Sequence, residues 1–287
     1  MHYSSAQELH CFAGFSALGA HRKNCCLRMT TATSLPHASP FVQPPAMLLA
    51  AGRGERMRPL TDVTPKPLLT VQGLPLLQHH MQALAQAGVP RAVINTGWLG
   101  EQIPAYFSNA FAFSPKAQER KQLSLSYSAE PAQAFETAGG ISRALPQLAD
   151  VFWLAAGDVY APDLGFPAAA AEAFAQSSQL AHLWLVPNPA HNPRGDFGLS
   201  EAGLALDLPK GDTRARYTYS TIALLKAELF AQPWFDLPPG NPQGLRAPLA
   251  PLLRLAMREG RVGASLYSGR WTDVGTPERL ELLNRPD

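Results

Sequence analysis

The chain reads as a doubly wound α/β fold: a mostly parallel sheet with helices on both faces and a small antiparallel hairpin added late. Two observations predict it. From Ala46 onward, short apolar runs alternate with segments of helical periodicity, the pattern of successive strand–helix–strand units. The first of these runs, Met47 to Ala51, feeds a glycine turn, Gly52-Arg53-Gly54, as strands do where such a sheet receives its ligand. A length of 287 residues leaves ample chain for a buried core.

Each element follows from its own pattern. Met47 to Ala51 is short and wholly apolar, which suits a strand covered on both faces. Pro75 to Ala87 sets Leu76, Leu77, His80, Met81 and Leu84 at helical spacing, and Gly88 stops the helix. Ala92 to Thr96 is the next strand, Glu101 to Phe107 a short helix, and Leu123 to Ser128 a further strand. Thr137 to Leu145 is a helix with Thr137 as its candidate cap. Val151 to Ala156 is the most continuous buried strand and ends in Gly157-Asp158. An alanine-rich helix, Ala168 to Ala175, precedes the strand Ala181 to Val186. Phe197 to Leu208 alternates apolar and polar residues around Glu201-Ala202-Gly203, as an antiparallel hairpin does. Tyr217 to Leu225 is a late strand, Pro248 to Arg258 a late helix, and Pro277-Glu278 the start of a last one. No internal repeat is present.

Composition narrows the partners. With 46% hydrophobic and 16% charged residues the chain has the make-up of a soluble globular protein. A net charge of +2 gives no reason to expect nucleic acid or an anionic membrane, so any anion site is local. The 3 cysteines, Cys11, Cys25 and Cys26, leave the main body without a disulfide framework or a cysteine metal site, which fits a reducing cytoplasm. Residues 1–45 read differently. Cys11 to Ala20 is weakly apolar, but Arg22, Lys23 and Arg28 follow it, the reverse of a secretory signal. Pro36 to Pro45 carries no charge and reads as a disordered lead-in. Residues 1–45 are therefore expected to be a disordered extension or the product of a start assigned too early, Met29 being one alternative, and residues 46–287 the working domain.

The chemistry-bearing residues gather where the predicted strands end. Glycines at 52 and 54 can take positive φ, letting backbone N–H groups close round an oxyanion. Arg56 offers a planar fork to phosphate, and Lys66 in Thr64-Pro65-Lys66-Pro67 a point charge. A glycine pair alone is a weak signal that is often only a turn; together with the lysine element, at this spacing after a strand, it points to a polyphosphate. Asp158 at a strand end can hold Mg²⁺ or serve as a turn aspartate. Asp273 in Trp271-Thr-Asp-Val-Gly275 can do the same or cap the last helix. Glu130, Glu136 and Thr137-Ala-Gly-Gly140 suit the approach of a flat base or an ordinary helix start. Asp196, Ser220 and Thr221 are open between sugar contacts and structure. The 8 histidines form no ligand-spaced set, and His79-His80 are expected at the surface and the core edge. No G-x-S-x-G nucleophile occurs.

Together these segments resemble the sugar-1-phosphate nucleotidyltransferases over nearly all of residues 46–287. The matching pieces are Leu49-Ala-Ala-Gly-x-Gly-x-Arg-Met57, Thr64-Pro-Lys-Pro67, Glu136-Thr-Ala-Gly-Gly140, Gly157-Asp158 and Trp271-Thr-Asp-Val-Gly275. The resemblance implies a Rossmann-like nucleotidyltransferase fold and Mg²⁺-dependent attack of a sugar-1-phosphate on the α-phosphorus of a nucleoside triphosphate. It implies catalytic roles for Arg56 and Lys66, and Mg²⁺ on Asp158 and Asp273. Nucleotide contacts would come from Ala50, Ala51, Gly52, Gly54, Glu55, Arg56, Met57, Asn95, Thr137, Gly139 and Gly140, and sugar contacts from Glu136, Asp196 and Ser220. Pro59-Leu-Thr61, Trp98-Leu-Gly100 and Arg194-Gly-Asp-Phe197 are similar to the branch that uses UTP on N-acetylmuramic acid α-1-phosphate in cell-wall recycling. The expected partners are UTP and a sugar-1-phosphate, the expected compartment the cytoplasm, and the expected assembly a monomer or weak homo-oligomer. Alternatives are another phosphorylated acceptor, such as glucose-1-phosphate, mannose-1-phosphate or phosphocholine, and a catalytically silent sugar-nucleotide-binding regulator. A dinucleotide-binding domain is disfavoured, since Met57 stands where a third glycine belongs. The chain departs from the family pattern at Thr96-Gly97, where a bulkier pair is expected, and at Ala138 and Thr221, where glycine is expected. Leu208-Pro-Lys210 also stands in place of a Glu-Lys-Pro segment.

Overall fold

Four parallel strands form the heart of the sheet, and their sequence explains why. β1 (Ala46–Ala50) carries no charged residue and lies between two parallel neighbours, so both of its faces are covered. The computed structural model describes residues 41–116 and 119–285, which belong to one compact unit. The expectations for the cysteines, for Met29 and for most of the leading extension lie outside the described residues.

After β1 come a small hairpin, β2 (Thr70–Val71) and β3 (Leu74–Pro75), then α1 (Leu76–Gln86), β4 (Arg91–Thr96) and α2 (Gln102–Phe107). β5 (Ala110–Lys116) and β6 (Glu119–Ala129) follow, then α3 (Glu136–Ala144), β7 (Val151–Ala156), β8 (Val159–Tyr160) and α4 (Ala168–Gln176). The last part holds β9 (Ala181–Val186), β10 (Phe197–Leu199), β11 (Ala205–Leu206), β12 (Arg216–Lys226), α5 (Leu249–Arg258), β13 (Val262–Leu266), β14 (Thr272–Asp273) and α6 (Pro277–Asn284). The strand order is β11-β10-β12-β7-β1-β4-β6-β5, with β9 on β12 and β13 on β9.

β7, β1, β4 and β6 run parallel, while β5, β12, β10 and β11 pair antiparallel at the flanks. The hairpin β10–β11 was expected. The antiparallel edge strand β5 was not, because Pro115 demotes that run in a sequence reading and is tolerated only at an edge.

Alternation along each strand divides the core. Ala46, Leu48, Ala50, Trp153 and Ala155 face one layer with α1 and α4, whereas Met47, Phe152 and Leu154 face the other with α3 and α5. A third cluster joins Met57, Val71, Leu76 and Val274, with Leu280 and Leu283 of α6 against it. It ties the glycine turn to the end of the chain.

Three local expectations change. Thr137 does not cap α3: the cap position is Phe135, with no side-chain cap bond. α6 is capped by Thr276, whose side chain accepts from the Arg279 N–H, so Asp273 is free of that duty. His80 is fully buried rather than at the core edge.

Candidate active site

β1 delivers the chain into the glycine turn at the carboxyl end of the parallel strands. Of the two loop glycines only Gly54 is left-handed, at φ 67°. A Cβ there would stand 3.2 Å from Thr61 Cγ2 and 3.3 Å from Lys66 Cβ. Gly54 therefore turns the loop and also lets the Lys66 stem cross it. Arg53 is not available to a ligand. It lies 2.9 Å from Glu55, 3.2 Å from Asp62 and 3.5 Å over the Trp98 ring, and Trp98 Nε1 donates to Thr61 O at 2.8 Å. Arg56 is exposed and has no ion pair among the described residues. Gly97 earns its small size: a Cβ would meet Ala51 O at 2.6 Å.

Lys66 is buried, and its Nζ donates to Asp158 Oδ2 at 2.5 Å. Asp158 follows β7, and β14 folds back antiparallel on β8, with Asp273 opposite Val159 and Val274 N–H donating to Asp158 O at 2.8 Å. Two aspartates far apart in sequence thus share one end of the sheet. Asp273 Oδ2 is 2.5 Å from Arg279 Nη1. Its Oδ1 is buried and lies 2.7 Å from His191 Nε2, with no hydrogen bond aimed at it.

A cavity of about 720 Å³ opens here. One end is lined by Ala50, Ala51, Gly52, Gly54, Glu55, Arg56, Lys66 and Asp158, with Asn95, Glu136 and Thr137 along the side. The β10–β12 side is lined by Asp196, Phe197, Tyr219, Thr221 and the Leu249–Arg254 face of α5, while Gly275 lies next to Val274, which donates to Asp158 O. Glu136 and Thr221 hold φ of 60° and 62°, a strained conformation for residues with a Cβ and one that gathers at functional sites. The missing glycine at 221 thus marks a left-handed position filled by threonine.

Several site expectations are relocated. Met57 is fully buried in the core and does not line the cavity. Gly139 and Gly140 lie behind the wall. A Cβ on Gly139 would meet Leu245 O at 2.6 Å, and one on Gly140 would meet Glu130 Oε1 at 2.5 Å, so these glycines admit protein atoms, not a base. Ser220 is buried, and its Oγ accepts from Ile222 N–H. A bulge between Tyr219 and Ala223 turns Thr221 to the cavity in its place. Asp196 lines the cavity, yet its Oδ2 accepts from Tyr219 N–H at 2.8 Å and its Oδ1 from Asn192 Nδ2 at 3.2 Å. It holds the bulge.

Asn95 braces the site from within. Its Oδ1 accepts from Ala50 N–H and its Nδ2 donates to Glu130 Oε1, both at 2.6 Å. Burial pushes the Glu130 carboxyl above its usual range, and the bonds from Phe135 N–H and Asn95 pull partly back. Beneath Asp158, burial drives the His80 imidazole down to about 4, so it is neutral.

The carboxylates suit a hard cation. Asp158 lines the cavity; Asp273, opposite Val159 on the paired strand, does not line it. It holds its Oδ2 on Arg279 and its Oδ1 2.7 Å from His191 Nε2, so it can serve a cation only by giving up one of these partners. Mg²⁺ needs only one or two carboxylates and keeps several waters. No group of three or more His, Cys, Asp or Glu side chains fit to hold a metal occurs among the described residues, so a fully caged site is not what the arrangement offers. Sequence reading missed His191, Arg279, Tyr219 and Arg254. The fold brings Tyr219 and Arg254 to the cavity, and His191 and Arg279 to Asp273.

Residues 46–258 match the MobA-like NTP transferase domain. The N-acetylmuramate alpha-1-phosphate uridylyltransferase of Neisseria meningitidis serogroup B is 43% identical over 82% of this chain and 95% of its own length. The protein of the same description from Caulobacter vibrioides is 31% identical, over 81% and 92%. Among solved structures, the inositol-1-phosphate CTP transferase of T. maritima shares the fold, with a TM-score of 0.62 and 19% identity over 84% of this chain and 95% of that one.

Proposed function

The chain belongs to the MobA-like NTP transferase family, and we propose that it transfers a uridylyl group from UTP to N-acetylmuramic acid α-1-phosphate, giving UDP-N-acetylmuramic acid and pyrophosphate. The observation that carries this reading is the 43% identity to the Neisseria uridylyltransferase across 95% of that protein. The cavity supports it. Exposed Arg56 and the Gly54 turn present donors to a triphosphate. Lys66 stands between that turn and Asp158, where it neutralises charge as the sugar phosphate approaches the α-phosphorus. The reaction needs alignment and neutralisation rather than a covalent intermediate.

Mg²⁺ is the proposed cofactor, held by Asp158 and Asp273. When bound it supplies Lewis-acid stabilisation of phosphate charge. Arg279 or His191 then orients Asp273, and the Trp98–Arg53 stack holds the glycine turn. Among the described residues no helix is long and apolar enough to cross a membrane. A place in the cytoplasm, where UTP is made, and a role in cell-wall recycling belong to the same proposal.

Pyrophosphate release with Mg²⁺ tests it, using UTP, dTTP, GTP and CTP against N-acetylmuramic acid, N-acetylglucosamine and glucose 1-phosphates. Release only with UTP and the muramic compound is expected. Release with a different pair would keep the chemistry and discard the substrate; silence with all would favour a binding regulator.

A further inference from the structure

The end of the cavity away from the glycine turn is built around one aromatic ring. Arg254 of α5 lines it, with Cζ 5.4 Å from the Phe197 centroid. Asp207 accepts from Arg254 Nη1 and so orients the guanidinium; its Nε and Nη2 have no hydrogen-bond partner among the described residues. Tyr219 approaches Phe197 from β12, with centroids 6.4 Å apart. Its hydroxyl is buried and has no hydrogen-bond partner, and burial raises its pKa, so it remains a donor.

Arg254 Nε and Nη2 are thus uncommitted on the cavity wall near Phe197, and the buried Tyr219 hydroxyl has no partner among the described residues. The carboxylate of the lining at this end, Asp196, is already engaged by Tyr219 N–H and Asn192. Unmet donors of this kind, one of them cationic, match an anion with two oxygens. Arg56 and Lys66, the groups proposed for the triphosphate, follow β1, which β12 and β7 separate from β10, the strand of Phe197. A sugar whose only charge is its phosphate offers nothing here; a sugar that also bears a carboxylate does. N-acetylmuramic acid differs from N-acetylglucosamine by one lactyl ether, which ends in a carboxylate.

Resting on the reading above, we propose that Arg254 and Tyr219 read the carboxylate of the sugar and set the preference for the muramic over the glucosamine substrate. Arg254 forms the charged pair, Tyr219 adds a hydrogen bond, and Asp207 holds the guanidinium in place.

Calorimetric titration with UDP-N-acetylmuramic acid and UDP-N-acetylglucosamine tests this on the wild type, Arg254→Gln, Arg254→Lys and Tyr219→Phe. In Arg254→Gln the muramic product should weaken roughly 10- to 100-fold more than the glucosamine product, the size of one charged hydrogen bond. Arg254→Lys should restore part of that selectivity, and Tyr219→Phe should lose roughly fivefold in the same direction. Binding of the glucosamine product reports an intact fold in each variant. Equal loss for both products, or no loss for either, would overturn the assignment. If the wild type uridylylates N-acetylmuramic acid 1-phosphate and Arg254→Gln keeps the wild-type preference for the muramic product, only this inference fails. If the wild type does not use that sugar, the functional reading falls with it.

Discussion

The two ends of the cavity are encoded differently. The phosphate end comes largely from one contiguous stretch, β1 through the Lys66 element, closed by Asp158. The other side is assembled from β10, β12 and α5, elements scattered along the second half of the chain. The first is a local device: a strand, a left-handed glycine and a lysine crossing it. The second exists only once the sheet has formed. A triphosphate-binding device can therefore sit in a short motif, whereas the proposed discrimination among sugars rests on residues that only the folded sheet brings together.

The largest expected effect breaks the phosphate end. Asp158→Asn should lower kcat in the pyrophosphate-release assay by roughly a thousandfold or more, since several kcal/mol of charge stabilisation depend on it. Near-normal turnover with Mg²⁺ would remove the metal assignment. Lys66→Ala should lower kcat more than it weakens UTP binding; matched losses would leave it a binding residue only.

Acid should act next, through His80 under the same end. Its folded pKa of about 4 lies below the ordinary 6.5, so between those values the unfolded chain binds the extra proton. Stability from this group is complete above 6.5 and is lost as pH falls towards 4, by roughly 3 kcal/mol. Urea midpoints against pH should show this slope, and His80→Leu should flatten it. An unchanged slope would assign acid lability elsewhere.

Smaller effects separate structure from contact. Gly140→Ala places a methyl against the Glu130 carboxylate and should cost about 2 kcal/mol, or about 5 °C in Tm. Gly52→Ala, with nothing within 4 Å, should leave Tm nearly unchanged. If both behaved alike, the packing account of Gly140 would be wrong. At the other end, Thr221→Gly should gain up to about 1 kcal/mol by relieving the left-handed backbone; a loss would mean that the threonine side chain holds the bulge.

The same contrast decides what the sequence could show. β1, β7 and β9 were legible because continuous apolar runs need no partner to be recognised. β5 was hidden by Pro115, β13 carries too weak a pattern to stand out, and β8 with β14 is a ladder of two-residue strands. Arg56, Lys66 and Asp158 were legible by spacing from a strand end. Gly139 and Gly140 were noticed but misread, since their missing side chains admit a loop and a carboxylate rather than a ligand. The choice of Ser220 over Thr221 missed by one residue, because a bulge reverses which side chain faces the cavity. His191 and Arg279 had no local signal at all.

The most direct test of the account is phosphorus NMR of one mixture: enzyme, Mg²⁺, UTP and N-acetylmuramic acid α-1-phosphate. The account predicts that the diphosphate signals of a uridine diphosphate sugar grow in step with pyrophosphate, one for one, as both substrates vanish. UTP and the sugar phosphate persisting unchanged, while the same enzyme couples another pair, would contradict it.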